Sequence, residues 1–249
     1  MILLRVVGEV PTDSILRRLK MRRRPQEPNN PAVSFDRPFN KHPGDIGIVL
    51  SGGGARAAYQ VGALRALLPY LKQSPEQISV IIGSSIGAIN GLVFAAGLRQ
   101  GAEQAVDALE AMWRERNFRN TFAGSPSSAF FRAVKVAFLQ YMSPGPRASS
   151  QSIFDPSPLM QRIDRELSLQ GGLVPQERCA HLRAVGVMTT VEGHQRKPLL
   201  FASSHKTLTP EELVGASFEV CYTDQLSAKH GFASAALPSV LPPVELDTE

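Results

Sequence analysis

Residues 48–68 read IVLSGGGARAAYQVGALRALL, and three consecutive glycines separate an apolar run from a stretch with apolar residues at helical spacing. Glycine gives up more backbone freedom on folding than any other residue, so three in a row are costly unless the loop conformation requires them. A strand that leads through glycines into a helix leaves unpaired N–H groups beside the positive end of the helix dipole. The sequence therefore predicts a strand–loop–helix unit that stabilises negative charge.

Two phosphate-binding interpretations of this loop fail on neighbouring residues. A P-loop has Gly-Lys-Ser/Thr at its end, whereas Gly54 is followed by Ala-Arg-Ala. A dinucleotide fingerprint GxGxxG/A is formally met by Gly52, Gly54 and Ala57, but it needs an acidic residue about 20 positions on, at the end of the next strand. That strand ends in VIIGSS and has no carboxylate there. A nicotinamide-binding enzyme is therefore not favoured, and no cofactor is predicted.

The place of the missing carboxylate is taken by a serine. The predicted strand 77–83 ends at Gly83, which is also the first residue of Gly83-Ser84-Ser85-Ile86-Gly87. This G-x-S-x-G segment leads into an apolar helix. A serine in this context is a nucleophile on a sharp turn, and the flanking glycines, Gly83 and Gly87, relieve crowding around it. Acyl transfer uses such a nucleophile together with amides that bind the oxyanion. Ser85 is the candidate nucleophile, and the candidate oxyanion donors are the amides of Gly52, Gly53, Gly54 and Ala55.

Strand and helix patterns alternate along most of the chain. Apolar strands are predicted at 45–50, 77–83, 182–193 and 197–203, with helical patterns between the early ones. This alternation predicts an α/β fold with a mostly parallel central sheet flanked by helices. Residues 1–43 are basic and rich in proline and lack sustained periodicity, so we expect a disordered tail followed by one domain over 44–249.

Charge and cysteine content restrict the partners and the compartment. Six of the eight residues from 17 to 24 are Lys or Arg, with no aromatic residue among them, so nucleic-acid binding is not predicted. The cluster is expected to be solvated or to touch anionic lipid headgroups at a membrane surface. The two cysteines lack CxxC spacing, which predicts no metal site and a reducing, cytoplasmic location, with the basic cluster as the source of any peripheral membrane contact.

Four stretches together resemble the patatin-like phospholipase family: SGGGARAAYQVGAL, GSSIGAING, SIFDPSPL and FASAALPSVLPPVEL. The similarity covers residues 44–247, with Ala57 and Leu241 as minor departures. It implies a three-layer α/β/α fold and a lipid acyl hydrolase of phospholipase A or lysophospholipase type, acting on phospholipid or another acyl ester. Arg56 would then orient a lipid phosphate or hold the loop through an ion pair.

The resemblance also implies a serine–aspartate dyad, with the aspartate in a later Asp-Gly turn. No aspartate of this sequence precedes a glycine, so we expect a domain that is incomplete at its C-terminal end and lacks the dyad aspartate. Asp247 is a weak candidate for the base, and Asp224 a weaker one. Without a base the serine is a poor nucleophile. The alternative is an inactive truncated homologue that binds lipid or a partner through the same pocket.

Overall fold

The computed structural model of the protein describes residues 2–6, 45–73, 78–142, 152–169, 182–191, 198–204 and 217–246. The described strands are β1 Ile2–Val6, β2 Asp45–Leu50, β3 Ile78–Ser84, β4 Ala184–Thr190, β5 Pro198–Ser204 and β6 Glu219–Tyr222. A 3₁₀ turn at Gly54–Ala57 precedes the first of the described helices, which are α1 Ala58–Gln73, α2 Ile86–Gly97, α3 Ala102–Arg114, α4 Phe118–Thr121, α5 Pro126–Met142, α6 Ser157–Leu169 and α7 Ala228–Ala235.

The described strands form one sheet in the order β1-β2-β3-β4-β5-β6. Strands β2, β3 and β4 run parallel, β5 is antiparallel to β4, and β6 is parallel to β5. The prediction of an α/β fold with a mostly parallel sheet flanked by helices is therefore confirmed. Because Leu50 pairs with Gly83, β2 and β3 end side by side, and the segments that follow them start at the same edge of the sheet.

The first strand departs from the prediction of a disordered tail. Residues Ile2–Val6 pair antiparallel with β2, with Ile2 opposite Val49 and Val6 opposite Asp45. The segment ILLRV is apolar except for Arg5 and has strand-favouring residues at both ends, and it pairs with the side of β2 that β3 leaves open. The prediction was wrong for these five residues. Residues 7–43 lie outside the described part of the chain, so disorder there stays a prediction.

Helix α2, which follows the candidate nucleophile, forms the centre of the core. Every residue from Gly87 to Gly97 is buried, and Ile89 and Phe94 are completely inaccessible to solvent. A side chain at Gly97 would lie 2.6 Å from Ala105 Cα, so the small residues of α2 allow close packing against α3. These residues therefore serve core packing. Among the described helices, none is both long and apolar enough to cross a bilayer.

Candidate active site

Ser85 occupies the junction between β3 and α2 with φ 54° and ψ −131°. Side-chain-bearing residues rarely adopt positive φ, and such strain costs on the order of 1–3 kcal/mol. The conformation persists because β3 on one side and the buried helix α2 on the other fix the turn. This sharp, strained strand-to-helix turn is the geometry that G-x-S-x-G predicts for a nucleophile elbow.

The glycines on both sides of the elbow are required by close backbone contacts. A Cβ at Gly83 would lie 2.3 Å from Ala88 Cα, and a Cβ at Gly87 would lie 2.2 Å from the carbonyl oxygen of Leu50. Both distances are well below van der Waals contact, and the atoms met are backbone atoms that do not move aside. The elbow therefore packs directly against the end of β2 as well as against its own helix.

The first glycine of the triple-glycine loop lies against the elbow serine. A Cβ at Gly52 would lie 3.0 Å from Ser85 Cβ and 3.7 Å from Ser85 Oγ. The whole loop from Gly52 to Ala55 is exposed, and Ser85 is partly exposed. The structure thus brings together the two units that the sequence suggested, on a face that solvent and substrate can reach.

The remaining loop glycines present backbone amides at the start of a helical turn. Arg56 N donates to Gly53 O at 3.2 Å, which opens the 3₁₀ turn. The preceding amides, those of Gly54 and Ala55, have no acceptor within that turn. Gly54 has φ +56°, so a side chain there would be strained even though the space is open. The loop conformation thus depends on glycine at this position.

The other predicted site residues are Arg56, Asp247 and Asp224, and neither of the two that the structure describes, Arg56 and Asp224, forms a hydrogen bond with Ser85. Arg56 is exposed, and within the described residues no carboxylate forms a salt bridge with it, so the ion-pair role gains no support. Asp247 lies outside the described part of the chain. Asp224 follows β6, which runs antiparallel to β4, so the chain leads away from the sheet edge at Ser85 as it reaches Asp224. The strand direction therefore does not favour Asp224, the weaker candidate base.

Ser234 forms a hydrogen bond to the elbow, a role that the sequence motifs did not predict. Ser85 N donates to Ser234 Oγ at 2.6 Å, and Ser234 Oγ donates to the carbonyl oxygen of Met188 at 2.5 Å. One hydroxyl therefore links the strained turn to α7 and to β4. The sequence signal for this residue was present, because Ser234 lies within the stretch FASAALPSVLPPVEL.

We expect a Ser234→Ala change to raise the activation free energy for the reaction of Ser85 by more than it lowers the free energy of unfolding. It leaves the part-buried Ser85 N–H without its protein partner, which costs at most about 1–3 kcal/mol, the range for a fully buried donor. The measurements are urea unfolding and the rate of labelling by a fluorophosphonate. Ser168→Ala is the control, because it also removes a serine hydroxyl that donates to a backbone carbonyl, from Ser168 Oγ to Asp164 O, at an exposed position of α6 away from the elbow. Equal labelling rates for the two variants would contradict the positioning role.

A buried polar network fixes both ends of the glycine loop. Asn90 Nδ2 donates to Ala57 O at 3.1 Å and to Gln60 Oε1 at 2.9 Å, and Gln60 Nε2 donates to Ser51 O at 2.6 Å. Trp113 Nε1 completes the network by donating to Asn90 Oδ1 at 3.0 Å. Asn90 is fully buried and is the one polar side chain of α2, which is the signal that could have identified it.

An Asn90→Ala change is expected to destabilise the protein by about 3 kcal/mol, because it combines a small cavity with unpaired buried groups. The loss of the bond to Ala57 O, and of the bond that orients the Gln60 amide toward Ser51 O, should also lower the labelling rate of Ser85. Trp113→Phe is the graded comparison, since it removes only the indole donor to Asn90. Chemical denaturation and labelling kinetics of both variants check the prediction, which fails if the two variants behave alike.

The other two motif stretches lie together beside α7. Ile153 N donates to Ser239 O and Phe154 N donates to Val240 O, each at 3.0 Å. A cavity of about 320 Å³ adjoins them, with Lys229 and Phe232 of α7 in its lining. Ser234 is two residues beyond Phe232. At about 100° of rotation per residue the two side chains are about 200° apart around α7, so Ser234 faces away from the cavity. The cavity thus lies on a different face of α7 from the elbow contact.

The sequence matches the family model described as patatin-like phospholipase over residues 48–249. A lysophospholipase, nte1, of Aspergillus terreus is 36% identical over 74 residues, which cover 28% of this chain and 5% of that protein. A putative patatin-like phospholipase domain-containing protein, M110.7, of Caenorhabditis elegans is 50% identical over 50 residues, 20% of this chain and 4% of that protein. The chain therefore spans a small part of the curated relatives that it matches.

Among solved structures, the crystal structure of the type III effector protein ExoU aligns with a TM-score of 0.40 and 18% identity, over 78% of this chain and 39% of that chain. Full-length ExoU of Pseudomonas aeruginosa in complex with SpcU aligns with a TM-score of 0.38 and 17% identity, over 81% of this chain and 40% of that chain.

Proposed function

Because the chain belongs to the patatin-like phospholipase family, we propose that it is a serine esterase that hydrolyses the acyl esters of lipids, with Ser85 as the nucleophile. Phospholipids are the substrate class that the family name indicates. The observation that carries the proposal is the strained conformation of Ser85 with Gly52 packed against its side chain. A serine held at a sharp turn beside free loop amides is suited to acyl transfer.

In the proposed reaction Ser85 Oγ attacks the ester carbonyl carbon and gives its proton to a general base. The carbonyl oxygen becomes an oxyanion, which accepts hydrogen bonds from amides of the loop Gly52–Ala55. Collapse of the tetrahedral intermediate breaks the bond to the alcohol, which leaves with a proton returned by the base. Water then attacks the acyl-serine in the same way and releases the fatty acid.

We propose that the general base is an aspartate. The resemblance implies an aspartate, as in a serine–aspartate dyad, and Asp247 is the weak candidate in this sequence. The exposed Arg56, at the end of the same loop, is proposed to meet the phosphate of a phospholipid substrate. A cytoplasmic protein with peripheral contact to an anionic membrane surface is consistent with these assignments.

Labelling with a fluorophosphonate tests the proposal. We expect the reagent to modify one serine, mapped to Ser85 by mass spectrometry of the digested protein. Ser84→Ala is the matched control, because it removes a hydroxyl one residue away at the end of β3 and should leave labelling intact. Ser85→Ala should abolish it. A folded sample that takes up no label would contradict the proposal and favour the non-catalytic alternative, a module that binds lipid or a partner.

A further inference from the structure

Helix α5 carries large apolar side chains that face solvent. Five of those that the structure describes form a surface that we call the α5 apolar face: Phe130, Phe131, Val134, Phe138 and Tyr141, with exposed fractions of 66%, 72%, 52%, 60% and 85%. Single exposed apolar residues are common on protein surfaces, but a group of this size on one helix marks an interaction site.

The five side chains share one side of the helix. At about 100° of rotation per residue, their positions fall within an arc of about 100°. The buried residues of α5, Ala129 and Val136, lie on the opposite side, where they attach the helix to the rest of the protein. Arg132 Nη2 adds a hydrogen bond to Ala123 O at 3.3 Å on that attached side. The helix is therefore anchored through Ala129 and Val136 and presents the α5 apolar face outward.

The charges of α5 favour one class of partner. The segment PSSAFFRAVKVAFLQYM contains Arg132 and Lys135 and no acidic residue. Lys135 is exposed and adjoins the aromatic arc. Helices that lie in a membrane interface combine an aromatic and aliphatic face with flanking Lys or Arg, and anionic headgroups attract those charges. The chain as a whole also carries a formal net charge of +5.

We propose that the α5 apolar face inserts into the surface of a lipid bilayer that contains anionic lipids. The three phenylalanines and Val134 enter the boundary between headgroups and acyl chains, while Lys135 remains among the headgroups. The choice of a lipid surface rests in part on the proposed function, because a hydrolase of membrane phospholipids meets its substrate there. The binding itself requires no reaction at Ser85.

Vesicle flotation tests the binding, using phosphatidylcholine vesicles with and without phosphatidylserine. We expect the unaltered chain and Ser85→Ala to float equally, and to favour the anionic vesicles. The double variant Phe131→Ser, Phe138→Ser should partition at least about tenfold less, because two large apolar groups leave the interface. Lys135→Gln should lose about fivefold on the anionic vesicles only. The double variant Val191→Ser, Leu237→Ser removes two exposed apolar side chains elsewhere and should bind as before.

Hydrolysis assays separate this proposal from the assignment of Ser85. The phenylalanine double variant should retain turnover of a soluble short-chain ester and lose turnover of phospholipid in vesicles. If the unaltered chain turns over neither substrate yet floats as expected, the proposed function fails and the membrane contact stands. Unchanged flotation of the double variant would overturn the proposal. It is also overturned if sedimentation shows that the face instead joins two copies of the chain and flotation does not depend on it.

Discussion

A Ser85→Ala chain is expected to hydrolyse acyl esters at least about 10³-fold more slowly than the unaltered chain, because loss of the nucleophile removes the covalent route. The loop amides would remain in place, since the Ser85 atom nearest to the Cβ position of Gly52 is the Ser85 Cβ, which alanine keeps. Residual hydrolysis would then reflect binding and oxyanion stabilisation alone. The loss should appear in kcat and in kcat/KM alike.

Steady-state hydrolysis of a chromogenic ester, with Ser84→Ala as the matched control, measures this effect. A drop of less than tenfold for Ser85→Ala would contradict the assignment of the nucleophile.

Ser85→Gly tests the backbone strain at this position as well as the role of the hydroxyl. Glycine tolerates φ 54°, so this variant should be inactive yet more stable by about 1 kcal/mol, as relief of backbone strain predicts. An inactive but not stabilised variant would leave the catalytic assignment intact and contradict the strain argument.

The largest effect on stability is expected from Gly87→Ala. The new Cβ would lie 2.2 Å from Leu50 O and 2.5 Å from Ser51 O, both backbone atoms. Relief of this overlap requires α2 to move away from β2, which opens the core around a helix that is buried along its length. We therefore expect destabilisation by more than about 4 kcal/mol, the range of severe core defects, and for a protein of marginal stability this approaches loss of the fold.

Gly62→Ala is the matched control for that change. Gly62 is an exposed residue of α1, and a Cβ there meets no atom within 4 Å. The same substitution at this site should stabilise the protein by up to about 1 kcal/mol through helix propensity. Thermal and urea unfolding of the two variants should thus shift in opposite directions. Similar shifts for both would show that the close approach of α2 to β2 is not rigid.

The sequence by itself determined the local parts of the candidate site. An apolar run followed by Gly52–Gly54 and a second one followed by G-x-S-x-G predicted two strand–turn–helix units, and the structure has both. Local sequence suffices here because a strand, a tight turn and a helix start are each specified by neighbouring residues. The alternation of such units also predicted the mostly parallel sheet.

Only the tertiary structure decided which distant residues support those parts. The hydrogen bond from Ser85 N to Ser234 Oγ joins residues 149 positions apart, and the bond from Asn90 Nδ2 to Gln60 Oε1 joins residues 30 apart. The direction in which the chain reaches Asp224 likewise depends on how β5 and β6 add to the sheet. Hydrophobic periodicity shows which face of a single helix or strand is apolar. It does not show which helices and strands pack against each other. These contacts exist only after the sheet has assembled and α2 has been buried between its neighbours.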